Sequence, residues 1–229
     1  MKIGFTGIDL PEGKIKYQDD TLIALSEKDK PKKISPFFAE LIRDEFIKSE
    51  VIVIPADQIL DLLILDMEKM ETRLARAEDE SEKGLVEKCL AELENETPLC
   101  EVSFDEHEKK LLHELAPHSF KPVIQLEKKM DVNQIIDEAL AKACYMFFYT
   151  SGPQESHAWL IKKGSDIITC AGKIHSDLAR GFIKGDVVSF EDYMSCHNFN
   201  ECKSKGVARL ADRDYVVQPN EIIEIRFNT

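Results

Sequence analysis

A continuous run of β-branched residues, Val51-Ile52-Val53-Ile54, constrains the fold of this chain more than any other feature. A strand that is apolar on both faces is typical of a sheet that is covered on both faces. Residues 1–8 and 14–17 predict two further short strands, and residues 36–49 predict a helix that begins with a proline after a serine cap. Residues 1–56 are therefore interpreted as a small α/β segment.

The connection between the first two predicted strands is short. Only residues 10–13 join them, with a proline and a glycine that favour a turn. Parallel strands need a crossover of roughly a dozen residues. The sequence therefore predicts that strands 1–8 and 14–17 pair antiparallel.

Residues 57–97 are interpreted as an α-helical hairpin. The first arm has apolar residues at a 3-4-3 spacing, which is typical of a coiled-coil seam: Met67, Met70, Leu74 and Ala77. A polar tip follows, and residues 85–93 form the stripe of the returning arm. The arms are short, so an antiparallel pair is expected.

The remaining elements are assigned from capping and turn signals. Ser103 and Glu106 form a predicted capping box. Beyond it we expect a strand at 120–126, a helix at 132–148, a β-hairpin between 158–161 and 167–170, a short helix at 176–180, and strands at 186–190, 215–217 and 222–227. This order of late strands and a short helix fits a β-grasp fold.

Charge and composition exclude several classes of function. Residues 1–144 contain 20 Lys/Arg and 32 Asp/Glu, whereas residues 145–229 contain 10 and 11, so the acidic character lies in the first part. Bulk attraction to nucleic acid is not expected, and DNA is not expected as a partner. The longest apolar runs are too short to span a membrane, so we expect a soluble, cytoplasmic chain. The six cysteines are expected to be reduced, and Cys196-His197 with Cys202 is a poor zinc site.

Four stretches of the C-terminal part carry a family resemblance. Residues 149–159, 171–184, 190–193 and 214–228 closely resemble the TGS domain that ends YchF, the Obg-like ATPase family. With gaps, the similarity extends upstream to 14–31, 37–53, 57–76, 103–115 and 121–124. The resemblance implies an α+β chain with an eroded, GTPase-like α/β remnant at 1–56 and 98–144, the inserted helical hairpin at 57–97, and a β-grasp TGS domain at 145–229.

The nucleotide-binding motifs of that family are absent from this sequence. A P-loop needs G-x-x-x-x-G-K-[ST], but five residues separate Gly7 from Gly13, and Lys14 is followed by Ile15. No Asp-x-x-Gly stands before the predicted helix at 36–49. Leu126-Glu127-Lys128-Lys129 replaces the base-reading Asn-x-x-Glu. The sequence thus predicts that the chain is not an enzyme, with no catalytic residue, cofactor or metal.

Seven basic side chains are candidate contacts for a ligand or RNA. Lys69, Arg73 and Arg76 share one face of the first arm, and Lys173, His175, Arg180 and Lys184 lie in the TGS-like segment. The alternative interpretation is a solvated face for the lysines and arginines, and a cap or core role for His175.

The expected function is a non-catalytic, YchF-like binding or regulatory module that contacts RNA or the ribosome. Two alternatives remain open. One is a residual ATP- or GTP-binding protein with a rearranged site. The other is a protein partner of a full-length YchF-type ATPase.

Overall fold

The computed structural model describes residues 1–228. The predicted α+β class is confirmed. In chain order the elements are β1 (Lys2–Phe5), β2 (Gly13–Lys16), α1 (Asp20–Asp29), β3 (Lys33–Ser35), β4 (Phe38–Arg43), β5 (Val51–Pro55), α2 (Ile59–Leu74), α3 (Glu80–Glu94), α4 (Glu106–Leu115), β6 (Val123–Leu126), α5 (Val132–Lys142), β7 (Tyr145–Thr150), β8 (Glu155–Lys162), α6 (Ile167–Ile174), α7 (Ser176–Arg180), β9 (Phe182–Val188), α8 (Phe190–Met194), α9 (Phe199–Ser204), β10 (Arg209–Ala211) and β11 (Ile222–Phe227).

The chain divides into two compact units. Unit 1 comprises Met1–Ile15 and Ala39–Ala143, and unit 2 comprises Lys16–Phe38 and the chain from Cys144 onward. Within residues 1–228, no helix combines the length and the apolar character that crossing a membrane requires.

Unit 1 is built on a five-stranded sheet of order β2-β4-β1-β5-β6. Strand β1 is parallel to β4 and β5, and β5 is parallel to β6. Val51, Ile52 and Val53 are fully buried, which confirms the buried strand predicted from their β-branched run. Helices α2, α3, α4 and α5 complete the unit.

Two predictions for this sheet are wrong. The predicted helix at 36–49 is strand β4, because its buried residues, Ala39 and Leu41, alternate with more exposed ones at a period of two. Strand β1 does not pair antiparallel with β2, because β4 lies between them. The chain reaches β4 only after residues 17–37, which supply the long connection that a parallel pair with β1 requires.

The helical hairpin consists of α2 and α3, as predicted, but a coiled-coil seam is not supported. Met70 is buried, whereas Ala77 lies beyond the end of α2. The arms instead contribute to one cluster that also includes residues of the sheet and of α4: Ile52, Ile54, Leu62, Leu63, Met70, Val86, Cys89, Leu93 and Leu112. The capping box that begins α4 is formed by Asp105 and Glu108, not by Ser103 and Glu106.

Unit 2 is built on a six-stranded sheet of order β10-β9-β11-β7-β8-β3. Strands β7 and β8 are antiparallel, as are β9 and β11, whereas β3 pairs parallel with β8 at the edge. Helices α6 and α7 follow β8, and α1 comes from the N-terminal part of the chain.

Three sequence assignments in the C-terminal part are corrected. Residues 167–170 lie in helix α6, since Ile167, Cys170 and Ala171 are buried at helical spacing and Asp166 accepts the amide of Thr169 at 2.7 Å. The hairpin is formed by β7 and β8 instead, and the helix predicted at 132–148 ends at Lys142. Residues 215–217 form only an isolated bridge between Val216 and Asp166.

Candidate functional site

A cleft of about 460 Å³ lies in unit 1 at the carboxyl ends of β1, β5 and β6. It is lined by residues 7–10 and 126–130, by Pro55, Asp57 and Gln58, and by Ile135 of α5. Ligands of open α/β sheets bind beyond the carboxyl ends of the strands. This cleft is therefore the candidate small-molecule site of unit 1.

The charges at this cleft are mixed. Asp9, Asp57 and Glu127 supply carboxylates, and Lys128 and Lys129 supply ammonium groups. The amides at the start of α5 already have an acceptor, because the Asp131 carboxylate accepts Asn133 N at 2.8 Å and Gln134 N at 3.1 Å. The two lysines are thus the groups at the cleft that could contact a phosphate.

The loop that follows β1 is held down by Arg43. The guanidinium donates to Glu12 Oε1 at 2.8 Å and to the Ile8 carbonyl at 3.2 Å, and it lies 4.8 Å from the Phe5 ring centroid. Gly7 takes the left-handed conformation (φ 67°), and a Cβ there would lie 2.0 Å from Gln58 Oε1. The loop is therefore a tight turn over the end of β1.

The basic candidates of the hairpin have structural partners in two cases out of three. Lys69 donates to the carbonyl of Ala116, at the C-terminus of α4, at 2.7 Å. Arg73 forms an ion pair with Glu82 of α3. Arg76 is exposed beyond the end of α2. The three therefore do not form a single unpaired cationic face.

The basic candidates of unit 2 lie on α6, α7 and β9. Arg180 pairs with Asp177, and Lys184 pairs with Asp212. The His175 ring accepts the amide of Asp177 at 3.1 Å, so it caps α7 while remaining exposed. Lys173 is exposed in the last turn of α6. The capping role proposed as an alternative for His175 is therefore present in the structure.

A groove of about 490 Å³ opens beside this helical pair. One wall is the β7–β8 turn, residues 150–155, and the other is formed by Ile174 and Leu178. Tyr149 of β7 pairs with Ile222 of β11, and Ile223, Glu224, Ile225 and Phe227 of β11 complete the lining of the groove.

An aromatic stack that sequence reasoning missed lies on the strand next to this groove. The His157 ring lies 3.6 Å from the Trp159 ring, centroid to centroid, at 19°. Trp159 is stacked in turn on Phe148 at 6.2 Å and donates its indole N–H to Thr150 Oγ1 at 3.0 Å. The signal was available, because residues i and i+2 of a strand share a face.

The stack borders a polar corner at the edge strand β3. The register of β3 and β8 places Lys33 opposite Glu155 and Ser35 opposite His157. Glu155 Oε1 accepts Lys33 Nζ at 2.8 Å and Ser35 Oγ at 2.6 Å, and these two hydrogen bonds lower the pKa of Glu155. Burial lowers the pKa of His157, so its ring is neutral at pH 7.

The cysteines offer no metal centre. All six are free thiols. Cys196 and Cys202 are buried while His197 is exposed, and burial raises the pKa of Cys202 to about 11. In the range that the structure describes, no group of three or more His, Cys, Asp or Glu side chains could hold a metal ion.

Comparisons with known proteins show that this chain is similar to YchF-like proteins. Residues 145–228 match the family model described as YchF-GTPase_C, a protein of unknown function (DUF933). The ribosome-binding ATPase YchF of Bacillus subtilis is 29% identical over 76% of this chain and 67% of that protein. Human Obg-like ATPase 1 is 38% identical over 42% of this chain, but the match spans only 24% of that protein.

The fold matches a solved structure over most of its length. The Schizosaccharomyces pombe YchF GTPase superposes with a TM-score of 0.79, covering 96% of this chain and 88% of that one, at 17% identity. These names contradict one prediction. The prediction that the chain is not an enzyme is wrong, because the proteins to which it is similar are named as ATPases and a GTPase.

Proposed function

We propose that this chain, which is a partial YchF-like protein, associates with the ribosome through unit 2, in the cytoplasm, by contacts of basic side chains with ribosomal RNA. The observation that carries this proposal is the partition of charge. Unit 2 contains 15 Lys/Arg and 15 Asp/Glu, whereas unit 1 contains 15 and 28, so the whole net charge of −13 falls on unit 1. A polyanion is therefore repelled least by unit 2.

Two further observations support this assignment. The family model matches within unit 2, and a relative of this chain is named a ribosome-binding ATPase. Arg180 is held in an exposed ion pair and Lys184 in a partly exposed one, and such pairs contribute little to stability. Their side chains can therefore exchange a carboxylate partner for a phosphate at small cost.

Co-sedimentation with purified ribosomes tests the proposal. The variant Lys173→Glu/Arg180→Glu/Lys184→Glu should lose association. A control with the same charge change in unit 1, Lys48→Glu/Lys109→Glu/Lys110→Glu, should keep most of it. Equal binding of both variants at every salt concentration would contradict the proposal, as would capture of a protein partner in the absence of RNA.

The hairpin candidates are tested in the same assay. Lys69 caps α4, so Arg73→Glu/Arg76→Glu is the cleaner variant. If this face contacts phosphate, each lost contact should reduce the salt slope of binding by roughly 0.7–0.9. An unchanged slope would assign these two arginines to the solvated face.

Nucleotide binding in the cleft of unit 1 is a second candidate function. The supporting observation is the position of Lys128 and Lys129 at the carboxyl edge of the parallel sheet. Calorimetric titration with ATP and GTP tests it. Lys128→Glu/Lys129→Glu should abolish binding, whereas Lys109→Glu/Lys110→Glu on α4 should not, and heat signals that are equal for the two variants would refute this site.

A further inference from the structure

We infer that the face of unit 2 formed by Lys33, Glu155, His157 and Trp159 binds one unpaired nucleotide of RNA, with its base stacked on the His157 ring and its phosphate beside Lys33. This inference rests on the proposed association with ribosomal RNA and assigns to it a contact point. None of the basic candidates taken from the sequence belongs to this face.

The stack is preorganised to receive a base. Trp159 is fixed between Phe148 and His157, and its indole N–H is bound to Thr150. The His157 side chain is 25% exposed, so part of its ring is accessible to solvent, as is part of Trp159. Its Nδ1 lies 3.4 Å from Glu155 Oε1, which fixes the ring orientation further. When a planar base adds to this stack, the protein side chains lose little conformational freedom because they are already fixed.

The charge around the ring suits a nucleotide. His157 is neutral because burial lowers its pKa. Stacking on a neutral ring uses the flat face that all four bases share, so any of them can bind. Lys33 keeps 67% of its side chain exposed although it pairs with Glu155, and exposed pairs of this kind are weak. Lys32, also exposed, precedes it. A phosphate that follows the stacked base therefore meets lysine.

The shape of this face favours a single strand over a duplex. Bases are available for stacking on protein aromatic rings in single-stranded loops, bulges and ends, where they are not paired. Glu155, two residues before His157 on β8, lines the groove of about 490 Å³, which offers space for the neighbouring nucleotide.

The binding of short RNA to the full chain tests the inference. The probe is a 3′-labelled uridine hexanucleotide, followed by fluorescence anisotropy. His157→Ala should weaken binding by about 5- to 150-fold, the effect of losing one stacked base. His157→Phe should restore binding because it restores a ring. His107→Ala, an exposed histidine of unit 1, is the matched control and should change nothing. Lys33→Gln should reduce the salt slope by about 0.7.

The outcomes separate this inference from the proposed function. Far-UV circular dichroism checks that each variant is folded, because the emission of Trp159 responds directly to a change at His157. Unchanged RNA affinity in folded His157→Ala would overturn the stacking site, and so would loss of binding in both His157→Ala and His157→Phe. If His157→Ala loses the hexanucleotide while ribosome co-sedimentation of the wild type is also absent, the ribosome proposal fails and the nucleotide site stands.

Discussion

Replacing Tyr149 by Phe removes one hydroxyl group from the interior of unit 2. Tyr149 is 1% exposed and donates to the Asp19 carboxylate, at 3.1 Å from Oδ1 and 2.9 Å from Oδ2. Asp19 is 6% exposed and also accepts the amide of Leu22 at the start of α1, at 2.9 Å. Phenylalanine fills the same space, so the substitution leaves a buried carboxylate with one donor fewer. A hydrogen bond to a charged group contributes about 1.5–3 kcal/mol to the free energy of unfolding.

The effect of this substitution depends on pH. Burial raises the pKa of Asp19, because apolar surroundings disfavour the charged form. The folded state therefore binds this proton more tightly than the unfolded state, and stability falls as the pH rises through the two pKa values. The Tyr149 hydroxyl opposes this fall by stabilising the carboxylate. The loss in Tyr149→Phe should be largest at pH 7 and should shrink as the pH falls through the folded-state pKa values of Asp19, which lie above its ordinary value of 3.8.

Urea titration followed by Trp159 fluorescence measures this loss. Trp159 is the single tryptophan of the chain and lies in unit 2, so its signal reports that unit. Asp19→Asn keeps an acceptor for the cap without the charge, and in that background Tyr149→Phe should cost only about 0.5–1.5 kcal/mol. A loss below about 0.5 kcal/mol at pH 7, or an equal loss in both backgrounds, would refute the reasoning.

Two further substitutions test the packing of each unit. Gly7→Ala places a methyl group against Gln58 at φ 67° and should lower the free energy of unfolding by about 1–3 kcal/mol, measured by unfolding followed with far-UV circular dichroism. Gly13→Ala, at φ 97° but in open space, should lower it less. Equal losses in the two variants would contradict the clash at Gly7. Burial alone would raise the pKa of Asp186, but the bidentate Arg226 helps to hold it below its usual value. Such a carboxylate stabilises the fold above its unfolded pKa and loses that contribution as the pH falls through its folded pKa. Arg226→Gln should therefore lower stability at pH 7 by about 1–3 kcal/mol, a moderate figure because the guanidinium is half-exposed. The same tryptophan fluorescence should show the difference disappearing in acid, and a pH-independent difference would exclude this mechanism.

The sequence correctly predicts the elements whose hydrophobic or capping pattern is complete within a few consecutive residues. The buried run at 51–54, the two arms of the hairpin, the short helix at 176–180 and strand β11 are of this kind. The sequence predicts a helix at β4 because Ser35 and Pro36, which precede the strand, are typical of a helix cap. The burial alternation of β4 is set by its neighbours β1 and β2. Propensity is a weak guide where tertiary pairing decides.

The polar corner of unit 2 could not be derived from local pattern. Lys33 and Ser35 meet Glu155 across a sequence separation of 122 and 120 residues, and three residues of edge strand have no periodicity to detect. The basic candidates, in contrast, could be recognised in the sequence. The sequence could not show that Arg73, Arg180 and Lys184 form ion pairs with acidic neighbours. Ion pairing is a property of the fold, so a charge pattern identifies cations without showing which are free.

The acidic charge of unit 1 determines how RNA association must be measured. The net charge of −13 on unit 1 repels RNA, and added salt screens this repulsion. Salt also weakens contacts between lysine and phosphate through counterion release. The two effects oppose each other, so the salt slope measured for one protein understates its number of phosphate contacts. The difference in salt slope between two variants of unit 2 is free of this error, because the repulsion by unit 1 is the same in both. Glu68→Gln/Glu71→Gln, on the exposed face of α2, should therefore raise RNA affinity at low salt and leave it unchanged at high salt. In that background His157→Ala should still weaken binding by the same factor, and a different factor would mean that the two units do not act independently on RNA.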